Sequence, residues 1–106
     1  MPAPPPAAFG IPEGPQAEWV ARRLTPHPIA TYEERLTLHN PVIGNGLPCT
    51  YIACIDPLYQ PLEAVRQRVK GFIAAGLPWS WREIATGHDA MVTAPEALAE
   101  VLLTID

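Results

Sequence analysis

The pattern of apolar and polar positions sharpens after Leu47. Thr50 to Ile55 is a short, nearly continuous apolar run rich in β-forming residues. Such a run predicts a strand buried on both faces of a parallel sheet. Asp56-Pro57 ends it. From Pro61 to Ala75 the period changes to that of a helix. Leu62, Val65, Val69, Phe72 and Ile73 form one apolar stripe, and Arg66, Gln67 and Lys70 fall on the wet side. Gly76 is the expected C-terminal cap, and Pro78 forbids continuation. A second strand is predicted from about Ser80 to Ala85. Thr93-Ala94-Pro95-Glu96 has the spacing of a capping box and opens a last helix towards Ile105. Leu98, Val101, Leu102 and Ile105 make its core face.

Upstream the signals are weaker. Pro2, Pro4, Pro5, Pro6, Pro12 and Pro15 crowd the first fifteen residues, which predicts an extended or disordered arm over 1–14. A helix should start at Pro15, where a missing N–H costs nothing, and run to about Leu24. Trp19, Val20 and Arg23 share one side of it. Thr25-Pro26-His27-Pro28 stops it. Residues 29–48 have little periodicity; Tyr32, Leu36 and Leu38 suggest a brief extended or helical piece. Asn40-Pro41 and Gly44-Asn45-Gly46 are turn signals. The chain thus divides into an arm (1–14), a connector (15–46) and a C-terminal unit (47–106).

That unit reads strand, helix, strand, helix, which is an α/β arrangement. Its two strands should be parallel neighbours joined by a right-handed crossover. The loops at their C-terminal ends then lie side by side, one holding Asp56 and the other His88. Ligands and catalytic groups of open α/β sheets gather at this edge.

Composition narrows the function. The chain has 106 residues, 48% of them apolar, and a net charge of −4. With no basic stripe to neutralise phosphates, a nucleic-acid partner is not expected. No apolar run approaches the roughly 20 residues that span a bilayer. The N-terminus lacks the pattern of a secretory signal, so a cytoplasmic location is the default. Cys49 and Cys54 sit five apart in the first strand. They should face opposite sides about 17 Å apart, which excludes a disulfide between them. His27, His39 and His88 have no ligand-like spacing, so no metal site is expected.

His88 follows Gly87 after a strand and precedes a helix. A histidine there can turn towards a cleft and exchange a proton near neutral pH. Asp56 can orient it by accepting a hydrogen bond from its second ring nitrogen. The structural alternatives are a loop histidine and an aspartate that starts a turn. Asp89 is too close in sequence to face His88. Ser80, the single serine, starts a strand and so lies at the wrong end for a nucleophile. The sequence contains no Gly-x-Ser-x-Gly and no Gly-rich phosphate loop.

Tyr51-Ile52-x-Cys54, followed by a helix and then Thr86-Gly87-His88-Asp89-Ala90-Met91-Val92-Thr93-x-Pro95-Glu96-x-Leu98-Ala99, resembles the C-terminal end of α/β-hydrolase-fold enzymes. It is most similar to the branch of small esterases that includes methylesterases, hydroxynitrile lyases and pyrethroid-hydrolase-like proteins. Trp19-Val20-x-Arg22-Arg23-Leu24-Thr25-Pro26-x-Pro28 looks like the last part of that branch's lid. The resemblance covers most of residues 9–105. It implies a mostly parallel sheet with helices on both faces and a Ser–acid–His triad that needs no cofactor. His88 matches the catalytic histidine. Asp56 matches the acid, although it follows its strand more closely than is usual. No position matches the nucleophile or the oxyanion-hole loop. The resemblance therefore implies a C-terminal segment of a carboxylic ester hydrolase. Alone it would be inactive, and it would act on a small-molecule ester once completed by the N-terminal part. The alternative from the residues is a non-catalytic βαβα module that self-associates or binds a partner through an exposed strand edge.

Overall fold

The structure is a computed structural model that describes residues 1–40 and 42–105. The turn expected at Asn40-Pro41 falls partly outside the described residues. At its centre are two parallel strands, β1 (Cys49–Cys54) and β2 (Trp79–Ile84), in register from Cys49 opposite Trp79 to Cys54 opposite Ile84. A 3-10 turn (Gln60–Leu62) and helix α3 (Glu63–Ala74) connect them. After β2 come a short helix α4 (Ala90–Thr93) and helix α5 (Pro95–Leu103). Upstream lie α1 (Pro15–Ala21) and the single turn α2 (Ala30–Glu33). The molecule is thus a mixed helix–strand fold whose parallel pair is flanked by helices, as the sequence predicts.

The two faces of the pair differ. On one, Tyr51 stacks on Trp81 with centroids 5.0 Å apart, and Lys70 of α3 lies over that indole. Phe72 of α3 packs beside Trp79. On the opposite face the start of α4 meets Cys54, where the Ala90 backbone contacts the thiol. Helix α3 ends as predicted. Gly76 has φ +77°, and its N–H reaches the Ile73 carbonyl while that of Leu77 reaches Phe72. This is the hydrogen-bond pattern of a Schellman cap, which suits a glycine.

Four expectations are corrected. Residues 1–14 are not an extended arm. Pro6–Phe9 forms a 3-10 turn that closes through Gly10, and Ile11 behind it is the most deeply buried large side chain, 1% exposed. Burying an isoleucine contributes about 1.5–3 kcal/mol towards ordering the arm. Helix α1 stops at Ala21, and a tight turn through Arg23 and Leu24 bonds both N–H groups to the Val20 carbonyl. Arg66 is not on a wet face; it is 5% exposed. The capping box does not form either. Ala94 is the N-cap of α5, and the Thr93 hydroxyl pairs instead with the hydroxyl of Thr86. Proline at N1 lacks an N–H, so one of the orphan donors that a cap would satisfy is missing.

The core is small. Ile11, Val20, Ala53, Val69, Ile84 and Ala90 are its buried apolar residues. Residues 21–40 are all exposed, including Leu36 at 81%. On α3, Val65 and Ile73 of the apolar stripe are also exposed. The radius of gyration is 15.8 Å, against about 13 Å for a compact chain of this length.

Candidate functional site

The site is built on the two loops that leave the C-terminal ends of β1 and β2. Parallel pairing continues beyond both strands. The Ile55 N–H donates to the Ile84 carbonyl and the Asp56 N–H to the Thr86 carbonyl, each at 3.0 Å. The loops carrying Asp56 and His88 are therefore clamped side by side, as expected of parallel neighbours.

The arm holds the second loop from outside. The His88 N–H donates to the Phe9 carbonyl at 2.9 Å. Gly87 lies so close to the arm that a Cβ there would come within 2.8 Å of the Gly10 oxygen and 2.9 Å of the Phe9 oxygen. Only glycine fits this approach. The Thr86–Thr93 hydroxyl pair fastens the loop from below. Gln16 of α1 donates to the Val92 carbonyl at 3.1 Å and ties the following turn to α1.

The His88 imidazole is half-buried and stacked on Tyr59, with centroids 4.4 Å apart and planes 19° apart. Phe9 completes an aromatic trio, 5.9 Å from Tyr59 and 6.1 Å from His88. Tyr59 is held in turn by Arg66, whose Nη1 donates to the Tyr59 carbonyl at 3.0 Å. The same guanidinium bonds Glu63 through Nε and Nη2. A charged side chain so deeply buried needs such partners, and here it links α3 to the loop that carries Tyr59.

Among the described residues the His88 side chain takes no hydrogen bond. Among these residues no buried side-chain nitrogen or oxygen lacks a partner, so the imidazole nitrogens keep contact with solvent. Asp56 is exposed, and its carboxylate neither bonds nor pairs with His88; the ion pair among the described residues is Arg66–Glu63. The structure brings the two loops together but leaves the two side chains apart, because the imidazole lies against Tyr59.

Two clefts lie on neighbouring segments, and neither His88 nor Asp56 lines either of them. One of about 470 Å³ is lined by Phe9, Gly10, Pro57, Leu58 and Tyr59 among others. A second, of about 400 Å³ and mainly apolar, lies between Pro15, Gln16 and Trp19 of α1 and Met91 and Val92 of α4. Ser80 lies at the far end of β2, its hydroxyl 3.0 Å from that of Thr50.

Comparison of the chain with protein-family models, with curated proteins and with solved structures gave no match. The site's chemistry therefore rests on its own geometry.

Phe9, Tyr59 and Arg66 were not legible as site residues. Tyr59 carried one signal, an aromatic placed three residues after Asp56 on the loop that should lie beside His88.

Proposed function

We propose that these residues form the C-terminal segment of an α/β-hydrolase-fold carboxylic ester hydrolase, with His88 as general base and Asp56 as the acid that orients it. The observation that carries this reading is the clamp between the two loops, Asp56 N–H to Thr86 carbonyl, at the C-terminal edge of a parallel pair. That edge is where such sheets collect catalytic groups. His88 would take the proton of a serine hydroxyl as it attacks an ester carbonyl, then return it to the leaving alkoxide. For this the imidazole must turn from Tyr59 so that Asp56 can accept a hydrogen bond from its second nitrogen. The serine and the oxyanion donors come from outside these residues, and without them hydrolysis stays near the background of free imidazole.

The test is to translate the DNA immediately upstream of the Met1 codon in all frames. The reading predicts a strand, a Gly-x-Ser-x-Gly turn and a helix, joined directly or by one frameshift. An upstream region without them contradicts it.

A second reading, a non-catalytic module that pairs through a strand edge, is favoured by one observation. β1 has the sequence of a central strand but stands at the margin of a two-stranded sheet.

A further inference from the structure

β1 satisfies only half of its backbone. The Cys49 N–H donates to Pro78 and the Ile55 N–H to Ile84. In a parallel ladder alternate residues face the neighbour, so Cys49, Tyr51, Ala53 and Ile55 are turned towards β2. The N–H and C=O groups of Thr50, Ile52 and Cys54 then point the other way, where no backbone partner meets them among the described residues. β1 makes its extensive element contacts with β2 alone, whereas α3 and α5 both lie against β2.

The two margins of the sheet are not alike. β2 carries Arg82 and Glu83, the kind of charge that protects an edge from pairing. β1, Cys-Thr-Tyr-Ile-Ala-Cys, carries no charge at all. Leu47 and Ile55 at its two ends are 67% and 38% exposed. An uncharged edge of β-forming residues is one that natural proteins keep covered.

We infer that β1 pairs with β1 of a second copy of this chain, antiparallel about a two-fold axis at Ile52. The free groups are symmetric about that residue. Thr50 then faces the partner copy's Cys54 and Ile52 faces its own counterpart, so each facing pair can exchange both hydrogen bonds. No like charges oppose each other, and the sheet becomes four strands, β2-β1-β1-β2. A six-residue strand pair alone is small against the roughly 1,200 Å² of a stable specific interface. The exposed side chains of Leu47, Ile55 and Leu58 supply further apolar surface beside it. A second copy is the occupant because the described residues hold one uncharged strand, and that strand complements itself. The inference rests on the second reading above, that of a module which pairs through its strand edge, and not on the role of His88.

The experiment is sedimentation equilibrium of the 106-residue protein, with amide hydrogen exchange by NMR at low and high concentration. A dimer, at twice 11.5 kDa, is expected. The Thr50, Ile52 and Cys54 amides should be protected only at concentrations where it forms. Thr50→Pro removes an N–H that no intrachain ladder uses. It should raise the dimer dissociation constant by about tenfold or more, since the two-fold axis doubles each lost bond. A protein that stays monomeric at several hundred micromolar overturns the inference. So does a dimer in which these three amides exchange as fast as in the monomer. The exchange measurement needs no variant, so it decides the matter even if Thr50→Pro fails to fold.

Discussion

The His88 imidazole lies nearly parallel to the Tyr59 ring, 4.4 Å away. This contact joins the loop after β2 to the loop after β1, and Arg66 supports it from α3 through the Tyr59 carbonyl. The candidate base is therefore parked rather than poised, and its resting place is set by residues from three parts of the chain.

Replacing Tyr59 tests that parking. Tyr59→Leu removes the stack and should cost about 0.5–1.5 kcal/mol beyond the lost area. The ring current of Tyr59 acts on the His88 ring protons, so their NMR signals should move downfield in the variant. Unchanged positions would mean that the rings are not stacked in solution.

Gly87→Ala should separate the arm from the sheet. The added Cβ meets backbone oxygens of Phe9 and Gly10 at 2.8–2.9 Å, and backbone cannot swing aside as a side chain can. We expect a loss of about 1–3 kcal/mol in thermal or chemical unfolding. Proteolysis within residues 1–14 should become faster. If the arm stays resistant, it is held by Ile11 and not by this contact.

The Glu63 carboxyl is held below the usual carboxylate range, first by the hydrogen bond from Gln67 and then by that from Arg66. A depressed folded value means that the stabilisation is present above the unfolded value. It is lost as pH falls through the folded one. The melting temperature should therefore decline on acidification through the carboxylate range. The decline should be shallower in Glu63→Gln, measured against the wild type across the same pH series.

Burial raises the Cys54 thiol above its ordinary value, and the nearby Asp89 charge adds to the effect. The thiolate is the reactive form. Iodoacetamide should therefore label Cys54 more slowly in the folded protein than in urea at neutral pH, with the difference narrowing as pH rises. Mass spectrometry of the labelled peptides reads the ratio.

Much of the C-terminal unit was legible because its signals are local. The apolar run at Thr50–Ile55 and the period of 61–75 set β1 and α3 to within a residue or two. Other features depend on contacts far apart in sequence. Ile11 is buried although its neighbours are proline and glycine, because tertiary packing overrides linker composition. Arg66 reads as a wet-face charge, yet its long side chain folds back to Glu63 and Tyr59. Thr93 has the spacing of a cap, but Thr86 across the loop competes for its hydroxyl. For the site, sequence gave the two loops and their order. The stacking of His88 on Tyr59, and the arm that receives its N–H, came only with the fold.

We propose His88 as the base of a serine-type ester hydrolase completed from outside these residues. The most direct measurement is hydrolysis of p-nitrophenyl acetate by this chain joined to the segment encoded upstream of it, with and without His88→Ala. Ester hydrolysis by the joined protein is expected, with a fall in kcat of about 10⁴-fold or more in the variant. A joined protein whose activity survives His88→Ala within a few fold would contradict it.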